Sequence, residues 1–294
     1  MSHPRGAPLS SGVANLYVVS TPIGNLGDLS PRAAETLRTV HRILAEDTRR
    51  TRVLADHVES TVPMVSLHAH NENERIDRVL SWLDSGEDLA LVSDAGTPLV
   101  SDPGGRTVAA VVEHGHTVVP IPGPSAVISA LVASGLAADR FLYLGFVPRK
   151  GKARTEVLER IASSTETAVV FESPQRLVSL LEALAETCGG ERRVAVAREL
   201  TKVHEEVRRG TLDETAAYYR ERPPRGEVTV VVGPVDVAAG EEVPIEEATS
   251  LAAELVAGGM KPSAVARELV RRLDVARNRA YRIVHDLEGT TTDE

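Results

Sequence analysis

Four polar loops, each following a short apolar run, hold the residue types that could grip or transform a small molecule. They are "STPIGNLGD" (Ser20–Asp28), "AEDTRRT" (Ala45–Thr51), "SDAGTPLVSDPGG" (Ser93–Gly105) and "PIPGPSA" (Pro120–Ala126). The third is the richest. Gly96, Gly104 and Gly105 let the backbone press close to a ligand, while Pro98 and Pro103 stiffen the turn. Asp94 and Thr97 offer polar groups to hydroxyls or an amine. Pro103 is placed to start a helix whose free N–H groups would favour a carboxylate. The first loop has neither the G-x-G-x-x-G spacing of a dinucleotide fingerprint nor the lysine of a phosphate loop. Glycine and proline also make ordinary tight turns, so the weight rests on four such loops sharing one sheet edge.

The runs that feed these loops are Leu16–Ser20, Arg42–Glu46, Met64–His68, Leu89–Asp94 and Thr117–Ile121. Segments of helical period separate them, for instance Ile76, Val79, Leu80 and Leu83. Alternating strand and helix predicts βα units around a mostly parallel sheet, and the apolar strands predict burial on both faces. Ligands of such sheets sit beyond the carboxyl ends of the strands, where the four loops are. The proline-rich "VPIPGPSA" marks a boundary, giving an α/β domain over 14–122 and a second over 123–236. The second has strand-like runs at Phe141–Phe146, Thr167–Phe171, Arg193–Ala197, Glu205–Arg209 and Val228–Val232, predicting a mixed sheet. Polar residues again follow strands in "VFESPQR" and "VARELTKVHEE". The predicted class is α/β, with two lobes and a ligand cleft between them.

Residues 1–13 read as a flexible polar tail and Gly233–Pro244 as a linker. Three short helices follow, near Ile245–Ala257, Ser263–Leu273 and Val275–Leu287, as a helix-turn-helix-like segment over 245–288. Gly258-Gly259 would stop the first and Asp274 cap the third. A small helical cap with a solvated basic face fits this segment equally well.

The 294 residues carry 42% apolar and 26% charged side chains, the composition of a globular chain of about two domains. One cysteine, Cys188, excludes an intramolecular disulfide framework and fits a reducing, cytoplasmic setting. Scattered histidines and a lone cysteine do not make a metal site. No apolar stretch reaches the roughly 20 residues of a membrane span, and the opening lacks the apolar core of a secretory signal. The net charge of −9 argues against a uniformly nucleic-acid-coated protein but not against a local patch. Two patches exist: Arg149, Lys150, Lys152 and Arg154, and the segment Lys261–Arg282, where seven basic residues face two acidic ones.

The ordered set "STPIGNLGDLSPRAAETL", "AEDTRRTRVLADH", "HAHNENERI", "LVSDAGTPLVSDPG", "PIPGPSA", "FVPRKGKAR", "FESPQR" and "RELTKVHEE" resembles one family. It is the bacterial ribosomal small-subunit RNA methyltransferase I family, cytidine 2′-O-methyltransferases of the tetrapyrrole methylase superfamily. The resemblance runs from about Leu16 to Pro234. It implies S-adenosyl-L-methionine folded between the lobes, a cytidine ribose of 16S ribosomal RNA in the small subunit as acceptor, and a homodimer. It places Pro22, Asp94, Gly96, Thr97, Val100, Ser101, Ser125, Ala126 and Phe171 around the cofactor, with Asn25 facing substrate. Glu46 and Asp47 follow the second strand toward the cleft and are candidate general bases, with His68, His70 and Asn71 as second choices. A plainer role for "EDTRRT" is an ion-paired helix start capped by Asp47 or Thr48. Arg49, Arg149, Lys150, Lys152 and Arg154 are candidates for holding RNA phosphates.

Two other readings stay open. One is a relative acting on a precorrin-like molecule or a protein side chain, which needs no basic entrance. The other is a non-catalytic ribosome-assembly RNA-binding protein. A nicotinamide dehydrogenase is a weaker third, because the glycine fingerprint is missing.

Overall fold

Strands β1 (Asn15–Val19), β2 (Arg42–Ala45), β3 (Met64–Ser66), β4 (Leu89–Val92) and β5 (Thr117–Ile121) form one sheet in the order β3-β2-β4-β1-β5. Every pairing in it is parallel. This computed structural model describes residues 14–235, 245–258, 260, 262–273, 280 and 283–284. Helices α1 (Pro31–Thr39), α2 (Thr48–His57), α3 (Glu72–Asp84) and α4 (Gly105–Glu113) connect the strands. Side chains alternate across the pleat, so Leu89 and Leu91 enter one apolar core with Val79, Leu80 and Leu83 of α3. Ala90 and Val92 enter the opposite core with Ala33 and Leu37 of α1. Both faces are covered, as the unbroken apolar runs predict.

Local chemistry sets the helix starts. Ser30 caps α1 by accepting the Ala33 N–H at 3.1 Å, and Pro31 supplies a first-turn residue with no N–H to satisfy. For α4 the sequence expectation needs correcting. Pro103 does not begin the helix; Gly104 is its N-cap at φ 113°. A Cβ there would lie 2.7 Å from Leu91, so the turn requires glycine twice over. Nor do the free N–H groups await a ligand carboxylate: buried Glu72 already accepts from the Thr107 N–H at 2.9 Å.

The second sheet comprises β6 (Phe141–Phe146), β7 (Thr167–Glu172), β8 (Arg193–Arg198), β9 (Glu206–Thr211) and β10 (Val228–Val232), in the order β6-β7-β10-β8-β9. Only β6 and β7 run parallel; the other neighbours are antiparallel. One face packs on α6 (Lys152–Ser163), α7 (Leu177–Cys188) and α8 (Leu212–Glu221) through residues such as Ile161, Leu180 and Tyr219. The other face packs Val169, Ala195 and Val231 against Val127, Ala130 and Leu131 of α5 (Ala126–Ser134) and against Ile23 of the loop after β1. That shared core joins the two sheets within one unit ending at Pro234.

A second unit begins at Val235. Within it α9 (Ile245–Ala257) and α10 (Pro262–Leu273) close an apolar core with Ala280, Ile283 and Val284. Arg271 and Arg272 both pair with Glu268, at 2.8 and 2.7 Å, so two arginines of the basic segment are compensated on their own helix. The expected tail over 1–13, the linker residues 236–244, Gly259, Lys261, Asp274, Ala276, Arg277, Arg279, Arg282 and Leu287 lie outside the described residues.

Candidate active site

The loops after β1, β4 and β5 are stitched together. Thr21 and Gly96 exchange backbone hydrogen bonds of 2.8 and 3.0 Å. The Ser20 and Thr97 hydroxyls meet at 3.0 Å, and Thr97 donates to the Pro124 carbonyl at 3.2 Å. Gly123 sits so close to Ser20 that a Cβ would lie 3.0 Å from the serine Cβ. The loop after β2 is tied to the loop after β4 by Asp94, whose Oδ1 accepts the Asp47 N–H at 3.0 Å. The Asp94 N–H in turn donates to Glu46 Oε2 at 3.4 Å.

These stitched loops form one wall of a cavity of about 450 Å³. The opposite wall comes from the second sheet: Phe146, Phe171 to Pro174, and Gly226 to Thr229. The volume suits a small organic ligand or cofactor. Of the residues expected around a cofactor, Asp94, Gly96, Thr97, Val100, Ser101, Ser125, Ala126 and Phe171 all line this space. Pro22 does not; it borders a smaller adjoining hollow. Leu99 and Ser101 hold positive φ of 73° and 68°, a conformation bulky residues avoid unless their surroundings enforce it. The enforcing contact for Ser101 is its hydroxyl, 2.6 Å from Tyr143 Oη on β6. Tyr143 and Phe146 both stack edge-on against Phe171, with centroids 5.3 and 5.4 Å away.

Charge is distributed unevenly. Five carboxylates line the cavity, with one guanidinium, Arg50. Glu172 pairs with Arg176 at 3.0 Å and Glu227 with Lys202 at 2.9 Å. Of the other three, Asp94 meets Arg50 at 3.3 Å, and neither Glu46 nor Asp102 makes an ion pair among the described residues. Burial pushes the Asp102 carboxyl up to about 6; a Ser93 hydrogen bond works against the shift, and the neighbouring Glu46 and Asp94 charges add to it. Glu46 is also raised, first by burial and then, against an opposing backbone hydrogen bond, by Asp94.

The other expected site residues fall elsewhere. Asp47 caps α2: its Oδ1 accepts the Arg49 N–H at 2.9 Å and its Oδ2 pairs with the Arg49 guanidinium at 2.7 Å. Arg49 holds that carboxyl well below the usual range, which makes it a poor base, and Asp47 does not line the cavity. Asn25 caps the turn Leu26–Asp28 by accepting the Gly27 N–H. Asn71 accepts the His68 N–H at 2.8 Å, and His68 and His70 stack edge-on outside the cavity lining. Arg154 donates to the carbonyls of Pro148 and Ser179, and Lys152 pairs with Glu156 at 3.4 Å. Arg149 and Lys150 stay exposed at the tip of the same loop.

Sequence reasoning passed over Asp102, Arg50 and Gly226–Thr229. Asp102 stood inside the Ser93–Gly105 loop, but nothing in its spacing marks it. Its raised carboxyl comes first from burial in the fold and, among charges, from Glu46 on the loop after β2 as well as Asp94. Among the described residues no group of acidic, histidine or cysteine side chains could hold a metal ion, and no helix is long and apolar enough to cross a membrane.

A family model described as Tetrapyrrole (Corrin/Porphyrin) Methylases matches residues 15–216. The chain is 44% identical to a Synechocystis protein named ribosomal RNA small subunit methyltransferase I, over 93% of this chain and 98% of that one. A Bacillus subtilis protein of the same name is 41% identical, over 94% of each. Among solved structures, a cobalt precorrin-4 methyltransferase superposes with a TM-score of 0.59 at 16% identity, covering 74% of this chain and 94% of its own. The Thermus thermophilus uroporphyrin-III C-methyltransferase complexed with S-adenyl homocysteine superposes at 0.55 and 20% identity, covering 76% and 98%. At such identities the superpositions establish the fold, which is the two-sheet arrangement described above. The chain therefore belongs to the tetrapyrrole methylase family, in the branch whose curated relatives are named ribosomal RNA small subunit methyltransferase I.

Proposed function

We propose that this chain transfers a methyl group from S-adenosyl-L-methionine to the ribose 2′-hydroxyl of a cytidine in small-subunit ribosomal RNA. The observation that carries this reading is the cavity in which Glu46, Asp94 and Asp102 gather around a single arginine. Such a site favours a cationic ligand, and a sulfonium is one. The aromatic and aliphatic wall of Phe146, Phe171 and Val228 suits the flat, apolar parts of the same molecule. Gly96, at φ 79°, would carry a Cβ 3.4 Å from Ile23, so the loop leaves its bare backbone at the lining. The relatives' name supports RNA as the acceptor.

Bound there, S-adenosylmethionine supplies an already activated methyl group whose departure leaves a neutral thioether. The protein's larger task is placement, which can supply ~7–11 kcal/mol when reacting atoms are held about 3–3.5 Å apart. The Thr21–Gly96 clasp, the Ser101–Tyr143 bond and the Asp94 tie fix the loops that do this. Glu46, in the lining of the cavity and raised by burial, takes the hydroxyl proton as the 2′ oxygen bonds to carbon. That role contributes roughly 10²–10⁴-fold. Asp102 and Asp94 oppose the donor's positive charge. Arg149 and Lys150 hold phosphates, while Arg154 shapes their loop. In this reading 14–122 and 123–236 act as the two lobes of a cytoplasmic homodimer, the assembly the family resemblance implies.

A crystal soaked with S-adenosylmethionine tests the proposal. The donor should lie between the Gly96–Ser101 loop and Phe171. A donor lodged elsewhere, or a cavity that stays closed to it, contradicts the reading.

A further inference from the structure

Beside the cavity, and sharing Arg50 and Asp94 with it, lies a second hollow of about 100 Å³. Pro22, Leu26 and Val53 give it apolar sides; Leu26 and Val53 are 39% and 61% exposed. The polar side is the ion pair. Asp94 spends Oδ1 on the Asp47 N–H, and its Oδ2 meets Arg50 Nη1 at 3.3 Å in a single contact. An exposed pair of this kind adds little to stability. It does leave an acceptor and a donor fork side by side at the mouth of a ring-sized space. Thr51, which also lines the hollow, has a buried hydroxyl with no hydrogen-bond partner among the described residues.

We propose that this hollow takes the cytosine of the target nucleotide, turned out of its stack, with Asp94 accepting from the exocyclic amine and Arg50 donating to the ring nitrogen and carbonyl. The inference rests on the methyltransferase reading above and adds how the base is chosen. At about 100 Å³ the space matches one six-membered ring more closely than the fused rings of a purine. Between pyrimidines the pair decides. Carboxylate to the cytosine amine is a recurrent base contact. Uracil reverses both partners, placing a carbonyl against the carboxylate and an N–H against the guanidinium, and a site built on hydrogen bonds rejects such a mismatch strongly. The shared Asp94 and Arg50 put the base next to the donor cavity, where its ribose must lie.

The test uses the full chain, S-adenosylmethionine, and reconstituted small subunits carrying either cytidine or uridine at the target position, with donor affinity measured separately by calorimetry. The wild type should prefer cytidine by about 100-fold. Asp94→Asn should bring that ratio within about tenfold, since an amide can donate to the uracil carbonyl as well as accept from the amine. Val53→Phe, outside the donor cavity, should fill the hollow and lower cytidine methylation about 100-fold with donor affinity intact; if Asp94→Asn fails to bind donor, this variant decides. A cytidine preference unchanged in Asp94→Asn, or full activity in Val53→Phe, overturns the proposal. A wild type that methylates both targets alike sinks the base pocket alone. A wild type that binds donor yet methylates no subunit sinks the RNA reading, and the pocket with it.

Discussion

The parallel sheet reaches the cavity with Glu46, Arg50, Asp94 and Asp102, whereas the mixed sheet reaches it chiefly with Phe146, Phe171, Val228 and Thr229. Topology explains the division. All five parallel strands point their carboxyl ends at one edge, so the cavity meets their loops, where charged residues are cheap to place. In the mixed sheet β10 runs opposite to β7, with Val228 beside Glu172, so the cavity meets the strands themselves. Their side chains belong to a packed layer and are mostly apolar. One wall thus supplies chemistry and the other shape, and each should fail in its own way.

The largest effect belongs to the chemical wall. Glu46→Gln should lower kcat by roughly 10²–10⁴-fold, well beyond the weakening of donor affinity that loss of one charge brings, and should remove the acid limb of the pH–rate profile. Asp47→Asn should instead leave turnover near wild type and the melting temperature little changed, because an asparagine caps almost as well. Equal losses in both variants would erase the distinction drawn between them.

Phe171→Ala probes the wall of shape. It removes the ring that Tyr143 and Phe146 stack against, and donor affinity should fall about tenfold while the pH dependence keeps its form. A changed pH profile would mean that the walls are not separable.

Asp102 gives a proton-linked signature. A cationic donor favours the ionised carboxylate, so with its carboxyl near 6 donor affinity should rise about tenfold between pH 5 and 7, and Asp102→Asn should flatten that rise. Stability moves the other way. A carboxyl raised above its unfolded value contributes stability that is whole below about pH 4 and lost as pH climbs through about 6. Asp102→Asn should therefore melt higher than wild type at pH 8 but not at pH 3.5. Discounted for the group's partial exposure, the gain is about 1 kcal/mol, or ~2–4 °C.

The smallest effect is at the rim. Arg149→Ala/Lys150→Ala should weaken RNA binding and reduce the salt slope by about 1–2, leaving donor affinity alone. An unchanged slope would remove these two residues from the RNA path.

Nine of the ten strands were legible as short apolar runs, β9 (EVRRGT) being the polar exception, and observed ends fall within two residues of those read from the pattern. Their order was not, since pairing is a long-range choice that no run encodes alone. The same limit explains the site. Gly96 and Thr97 stood in a loop after a strand and were singled out by that rule, whereas Ser101 came from the family resemblance; all three line the cavity. Gly226 and Glu227 precede β10 and Val228 and Thr229 begin it, and the antiparallel run of β10 beside β7 brings them to the cavity. Asp102 becomes notable only once Glu46 and Asp94 are beside it. Asp47 shows the reverse: its capping role was readable from spacing, and it is the N-cap of α2.

The most direct test is transfer of tritiated methyl from S-adenosylmethionine to small subunits purified from cells lacking this protein, followed by digestion to nucleosides. The account predicts that the label appears in 2′-O-methylcytidine. Label confined to a base or to protein, or no label despite donor binding, would contradict it.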